Sequence, residues 1–329
     1  MSLEQTMSLN TNSKLKLALF STISEEWVYL HSNKIEIVNS INNADYIIYE
    51  SNGDPINIIE NIKQKFTKHK LVFILSGDQN AHIDNECIWF TNAVKPEGIA
   101  SRQTQIFCTN PAIFKFYENN KLNLLTLSQI DRNIDIYFKG TIWDGMRTDM
   151  YDTFVNKPNC NIIKNNQYWK WRLNSPITPS QELLEATAFQ SYKDIMKSKL
   201  CLCPKGNGNS SMRIIETIVC GAIPILINDF SEPFDRAWGY NVNEFCLSFD
   251  SKIHSWDMIY NECIKLINDY VRLDNMQKNG RDYFNNIIYS DSNLTGFKMY
   301  NNIDTVCYGF SNIIVDKLYE IHYKEQTIN

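Results

Sequence analysis

The sequence predicts an α/β protein made of two similar halves, each a parallel sheet flanked by helices. Three observations predict it. Short apolar strands alternate with helical segments from Lys14 onward, and the alternation restarts near Ile134. The stretch Lys199 to Ile227, KLCLCPKGNGNSSMRIIETIVCGAIPILI, runs through strand, glycine-containing turn, short helix and buried strand in immediate succession. The chain, at 329 residues, is long enough for two domains of ordinary size, and two domains imply a cleft.

In the first half LKLALF, KIEIVN and ADYIIYE read as strands, INIIENIKQKF as a helix and KLVFILSGD as a further strand. The strands Tyr46 to Tyr49 and Leu71 to Leu75 end in SNGDP and SGDQN. Open α/β sheets hold their ligands at the carboxyl ends of the strands, so Asp54, Asp78 and His82 stand at site positions. Turn capping is the competing role for each.

The second half begins with the strand IDIYF, then KGTIWDGMR and a helix to about Val155. Asn161 to Ile163 reads as the next strand and Gln181 to Lys197 as a helix. Between them NQYWKWRLNSPITPS, with Trp169, Trp171 and two prolines, suits an ordered irregular loop. After Ile227 come a loop and strand, then helices over Ser255 to Tyr270, Leu273 to Ile288 and Met299 to Lys324. The organisation expected is a flexible tail over 1–13, a first Rossmann-like domain over 14–130, a second over 131–300, and a final helix over 301–329 packing back toward the first domain.

Charge and composition remove several function classes. The formal charge is −5, and no stretch interleaves Lys or Arg with aromatics, which disfavours general nucleic-acid binding. No basic segment precedes an apolar signal core, and no apolar run approaches the roughly 20 residues of a membrane span, so a soluble protein is expected. Nine cysteines is an odd number and no pair has CxxC spacing, which points to reduced structural thiols and a cytoplasmic location.

The Lys199 to Ile227 stretch has the layout of a site for a phosphorylated nucleotide. Its strand ends at Pro204, and Gly206 and Gly208 leave the backbone free to take positive φ and approach a ligand. Ser210 or Ser211 can cap the helix and Gly221 can end it. At 100° per residue Ile214, Ile215, Ile218 and Val219 share a packing face, leaving Arg213, Glu216, Thr217 and Cys220 on the other. On that face Arg213 can reach a diphosphate and Glu216 can accept from ribose hydroxyls. A surface ion pair between the two is the plainer reading.

Two blocks taken together resemble the exostosin family, glycosyltransferase family 47. They are YFKGTIWDGMRTDMYDTF with NCNIIK, and YKDIMKSKLCLCPKGNGNSSMRIIETIVCGAIPILINDFSEPF. Phe138, Gly140 and Arg147 fit the first pattern. Cys201, Pro204, Lys205, Gly206, Arg213, Glu216, Gly221, Pro224, Pro233 and Phe234 fit the second. The resemblance covers roughly residues 131 to 250. Thr217 departs from it, standing where the family has a small Ala, and no stretch of this sequence reads as the family's luminal anchor, so an anchored protein is not expected.

The resemblance implies a GT-B architecture, two Rossmann-like domains facing a central cleft with a helical C-terminus. It also implies an inverting glycosyltransferase that moves a sugar from a nucleotide diphosphate donor, a UDP-sugar, to a glycan acceptor such as a polysaccharide, lipopolysaccharide or glycoprotein. Gly140, Arg147, Lys205, Gly206, Asn207, Ser210, Ser211, Arg213 and Glu216 would hold the donor. Arg147, Lys205 and Arg213 would stabilise the departing diphosphate, so neither a metal nor a prosthetic group is expected. Inversion needs a base, with Asp78 ranked first, then His82, Asp54 and Asp84, and Asp144 from the opposite wall. The alternatives are a GDP-sugar enzyme like the fucosyltransferases, an inactive glycan-binding or scaffold subunit, and a periplasmic binding protein, for which no export signal is visible.

Overall fold

The computed structural model describes residues 14–19, 33–51, 56–75, 86–91, 103–105, 112–142, 145–165, 180–206, 211–228, 241–285 and 311–328. Two sheets, every pairing parallel, organise them. The first contains β1 (Leu15–Leu19), β2 (Ile35–Ile37), β3 (Tyr46–Ser51), β4 (Leu71–Leu75), β5 (Ile88–Thr91) and β6 (Gln103–Gln105), in the order β2-β1-β3-β4-β5-β6. The second contains β7 (Ile134–Gly140), β8 (Cys160–Lys164), β9 (Ser198–Pro204), β10 (Ile223–Asn228) and β11 (Leu247–Asp250), in the order β11-β10-β9-β7-β8.

The second sheet is thus a doubly wound sheet of order 2-1-3-4-5 when its strands are counted from β7. Its direction of winding reverses between β7 and β9, and ligands of such sheets bind at that switch point. β10 is buried along its whole length, as expected of an apolar run with a parallel neighbour on each side. Alternation sends Leu200, Leu202, Ile223, Ile225 and Ile227 to one face and Cys201, Cys203 and Leu226 to the other.

Helices α1 (Ile56–Lys65), α2 (Ala112–Thr126), α3 (Gly145–Phe154), α4 (Gln181–Met196), α5 (Arg213–Val219), α6 (Trp256–Asn268), α7 (Tyr270–Tyr283) and α8 (Ser311–Ile328) cover the faces. Local chemistry sets several ends. Ser180, Ser255 and Asp269 each accept from a backbone N–H three residues on, at 3.2, 3.2 and 3.0 Å. Gly221, φ 72°, closes α5 in the left-handed region that favours glycine.

Within the described residues the strands and helices expected from the alternating pattern are present, the last helix being described from Ser311 onward, with three additions. β5, β6 and α2 lie in the stretch 86–130, where no pattern was visible. The edge strand β6 is QTQ, without an apolar face, and exists because Gln103 pairs with Trp89 of β5. α2 buries one face, with Ile113, Phe116, Tyr117 and Leu124, while Leu122 and Leu125 stay exposed, so apolar residues on both sides blur its pattern. Phe116 meets Tyr192 and Phe189 of α4 at ring separations of 5.2 and 5.4 Å, and Tyr117 meets Phe284 at 5.0 Å. α2 therefore packs on helices of the second sheet, across the boundary expected at 130. The C-terminal helix lies against the first sheet. Lys34 pairs with Asp316 at 2.7 Å, Tyr319 donates to the Lys34 carbonyl, and His322 packs edge-on to Tyr46 at 5.8 Å.

Candidate functional site

The carboxyl ends of β7 and β9 lie on the two sides of the switch point, and two arginines bind their backbone there. Arg147, third residue of α3, donates from Nη1 to Thr141 O at 3.0 Å. It also donates to Lys205 O from Nε at 3.2 Å and from Nη2 at 2.8 Å. Arg213, first residue of α5, donates from Nη2 to Lys139 O at 3.0 Å. The two side chains therefore stitch the end of β7 to the end of β9 and to the start of α5. Gly140, Arg147, Lys205, Gly206, Ser211, Arg213 and Glu216 are brought to this edge.

The local sequence explains the placement. β7 ends at Gly140, whose carbonyl accepts from Asn165 N at 2.8 Å. The chain can then turn into α3, presenting Arg147 one turn later. Lys205 N donates to Ile227 O at 2.9 Å, which extends the β9–β10 ladder one residue past Pro204. Beyond it Asn228, 2% exposed at the end of β10, has no hydrogen-bond partner for its Nδ2 among the described residues.

Three expectations are corrected. Gly206 does not take positive φ; among the described glycines Gly221 alone does. The clamp of Arg147 on Lys205 O and the ladder bond of Lys205 N keep the first part of the loop extended. Ser211 does not cap α5 in the usual manner: the residue at the cap is Met212, without a side-chain bond, and Ser211 Oγ accepts from Arg213 N at 3.4 Å. Nor does α5 have an open working face, since Ile214 to Val219 are all buried. On the side the helical wheel left free, Glu216 meets Tyr192 of α4 and Thr217 meets Cys203 of β9.

Burial changes what Arg213 and Glu216 are. Their pair, Nη1 to Oε2 at 3.0 Å, has side chains only 22% and 8% exposed, so it is a buried ion pair and not a surface one. The second carboxylate oxygen of Glu216 accepts from Tyr192 OH at 3.2 Å. Burial raises the Glu216 carboxyl, while the Arg213 charge and the Tyr192 hydroxyl pull it back. Burial works against the Arg213 charge, yet Glu216, with Cys201 and Tyr137, holds its pKa above the ordinary arginine value. Thr217, the departure from the family pattern, places its hydroxyl 3.6 Å from Cys203 Sγ in a fully buried position.

Asp54, Asp78, His82, Asp84, Asp144, Asn207 and Ser210 lie outside the described residues, as do Trp169, Trp171, Pro233 and Phe234. Tyr192 is the site residue that the sequence did not announce. It sits on a helix read as packing, and its hydroxyl meets Glu216 through tertiary contact alone. Among the described residues no three His, Cys, Asp or Glu side chains form a group able to hold a metal ion, and no helix is long and apolar enough to cross a membrane.

A family model described as the Exostosin GT47 domain matches residues 77–251. The probable glucuronosyltransferase GUT1 of Oryza sativa subsp. japonica is 28% identical over 119 residues, 32% of this chain and 24% of that protein. The probable β-1,4-xylosyltransferase IRX10 of Arabidopsis thaliana is 28% identical over 112 residues, 30% of this chain and 22% of that protein. The alignments thus span about a quarter or less of these curated relatives. Among solved structures, a glycosyltransferase from Rickettsia africae ESF-5 superposes with a TM-score of 0.39 and 11% identity, covering 95% of this chain and 98% of its own.

Proposed function

The chain belongs to the exostosin GT47 family of glycosyltransferases, and on that premise we propose that it transfers a sugar from a nucleoside diphosphate donor, a UDP-sugar, to a glycan acceptor. One observation carries the reading: both arginines at the carboxyl ends of β7 and β9 are fixed by backbone carbonyls at the switch point of the second sheet. Ligands of doubly wound sheets bind there. Arginine guanidinium groups suit diphosphate oxygens, offering planar sets of donors and a charge that does not titrate away.

Departure of the nucleoside diphosphate leaves negative charge where the bond to the anomeric carbon broke. Cations fixed before the reaction lower the cost of that charge without reorganising during it. Two of the five N–H donors of Arg213 are engaged by Glu216 and Lys139 among the described residues, which leaves three for donor oxygens. Arg147 binds mainly backbone, so its part is to hold the Lys205 loop against β7 and to add positive potential. In this scheme no metal is required. The acceptor hydroxyl loses its proton to a base from the first domain, with Asp78 ahead of His82 on sequence position. The names of the relatives, glucuronosyl- and xylosyltransferases, favour a UDP-sugar. The buried thiols of Cys201, Cys203, Cys220, Cys246 and Cys263 favour a reducing compartment, the cytoplasm.

Donor hydrolysis tests the proposal. Purified protein is incubated with a set of UDP- and GDP-sugars without acceptor or added metal, and nucleoside diphosphate release is scored against Arg213→Ala. UDP release from one donor that disappears in the variant is the expected result. Release from a GDP-sugar alone would overturn the UDP assignment, and no release together with no nucleotide binding would overturn the enzymatic reading.

A further inference from the structure

Three helices end against two arginines. Arg281 of α7 donates from Nη2 to Leu124 O and Leu127 O, both at 2.7 Å, and from Nη1 to Leu125 O at 3.5 Å. Gln277, one turn earlier, adds a bond from Nε2 to Leu127 O at 3.2 Å. These carbonyls close α2, where a helix leaves its last acceptors without internal partners. Arg132 does the same for α4 and α5: Nη1 donates to Met196 O and Ser198 O at 2.9 and 2.8 Å, and Nη2 to Cys220 O at 3.1 Å. Gln129 Nε2 donates to Gly221 O at 3.2 Å. Gln129, Arg132 and Gln277 are all buried. Toward the first sheet the shared packing is apolar: Ile113, Phe116 and Leu124 of α2 belong to one buried cluster with Leu17, Ile48 and Phe90.

We propose that α2 forms one rigid body with α4, α5 and α7, and that displacement between the two halves of the protein takes place between α2 and the first sheet, not at the 127–133 connection. Apolar packing is non-directional, so a small sliding of packed surfaces keeps most of its contact. The arginine node has no such latitude. Moving α2 against α7 would strand buried N–H groups and carbonyls without partners, and would draw a cation away from the negative end of a helix. Further contacts tie α2 to the same side. Lys115 pairs with Glu185 of α4 at 2.5 Å, and Tyr117 OH donates to Asn285 Oδ1 at 3.1 Å. The connection from α2 to β7 is itself fixed, since Ser128 Oγ donates to Asp131 Oδ2 at 2.7 Å and Arg132 N to Gln129 O at 3.3 Å. The first sheet would thus move past α2 and the edge that bears Arg147 and Arg213 as past a single block.

The test needs no substrate, so it stands whatever the reaction. Pairs of nitroxide labels are placed on the full chain at the exposed positions Leu122 of α2, Lys278 of α7 and Glu36 of β2, through an introduced ketone side chain that leaves the cysteines untouched. Pulsed electron resonance then gives the distance distribution of each pair, with thermal unfolding as a check on folding. A narrow distribution is expected for Leu122 with Lys278, and broader ones, equal in width, for Leu122 with Glu36 and Lys278 with Glu36. A narrow Leu122–Glu36 distance beside a broad Leu122–Lys278 distance would overturn the inference, because α2 would then travel with the first sheet. Three narrow distributions would overturn it as well, since the halves would not move, and three broad ones would mean that α2 rides with neither. In Arg281→Met the Leu122–Lys278 distribution should broaden; no change would overturn the part given to the arginine. Should Arg281→Met fail to fold, Gln277→Leu, which removes a single bond to Leu127 O, is read in the same way.

Discussion

Arg147 and Lys205 are joined by two hydrogen bonds, Nε and Nη2 of the arginine to the lysine carbonyl at 3.2 and 2.8 Å, across 58 positions of sequence. A charged side chain near the start of α3 thereby holds the end of β9 in place. Arg147 is a strut before it is a charge.

That geometry sets the first prediction. Arg147→Lys keeps the charge but cannot reproduce a planar fork on one carbonyl while reaching Thr141 O. A loss of about 2 kcal/mol is expected, roughly 4–8 °C in Tm, together with most of the transfer activity. Differential scanning calorimetry beside donor hydrolysis measures both, and an unchanged Tm would remove the strut role.

The buried pair gives the second. Removing Arg213 leaves the Glu216 carboxyl buried without its counter-charge, so Arg213→Met should cost about 3–5 kcal/mol. Adding Glu216→Gln should recover part of that loss, with a coupling of about 1–3 kcal/mol in a double-mutant cycle by urea unfolding. Strict additivity would mean that the pair contributes nothing to the fold.

The third concerns Gly221. A Cβ there would stand 2.7 Å from Arg132 Nη2 and 3.2 Å from both Arg281 Nη2 and Gln277 Nε2, at φ 72°. Arg132 cannot yield easily, since it donates to the carbonyls of Met196, Ser198 and Cys220 at 2.9, 2.8 and 3.1 Å. Gly221→Ala should therefore cost about 1–3 kcal/mol, whereas a relaxed left-handed site would lose about 1. Chemical denaturation of the two proteins is the measurement.

The fourth is a pH dependence. Burial and the nearby Asp135 raise the half-buried Cys160 thiol from 9.0 to about 11. Its thiolate fraction at neutral pH should fall about 100-fold below that of an unperturbed thiol, and alkylation should be correspondingly slow. Between those two pH values the unfolded chain has already lost the proton that the native protein keeps. Stability from this group is thus full below pH 9 and is lost as pH rises toward 11. Peptide mapping after iodoacetamide treatment across this range follows the reactivity directly.

The fifth separates two kinds of contact made by α8. Leu318 is fully buried, while Lys34 and Asp316 are 42% and 63% exposed. Leu318→Ala should cost about 2–5 kcal/mol and Asp316→Asn at most about 0.5. A comparable loss in both would show that the ion pair, and not the apolar face, docks the helix.

The alternating pattern of strands and helices was legible because buried parallel strands need continuous apolar runs and capped helices carry Ser, Asp or Gly at their ends. β6 and α2 were not legible. An edge strand of Gln and Thr is made by its neighbour, and a helix that leaves Leu122 and Leu125 exposed shows no clean apolar face. The cations Arg147, Lys205 and Arg213 were readable as a group from their positions after strands. The partners that give them their roles, Thr141 O, Lys139 O and Tyr192 OH, were not, because each lies on a different element.

Sequence alone determined the fold class, the order of elements in the second half, the turn at Gly221 and the set of charged residues at the carboxyl edge, since all of these depend on local spacing and residue type. Tertiary structure decided that Glu216 is buried with Arg213, that Gly206 needs no left-handed backbone, and that α2 packs on the second sheet. The reason is the same in each case: burial and partners depend on which helix covers which face, and a helical wheel records the face of a helix without knowing its neighbours.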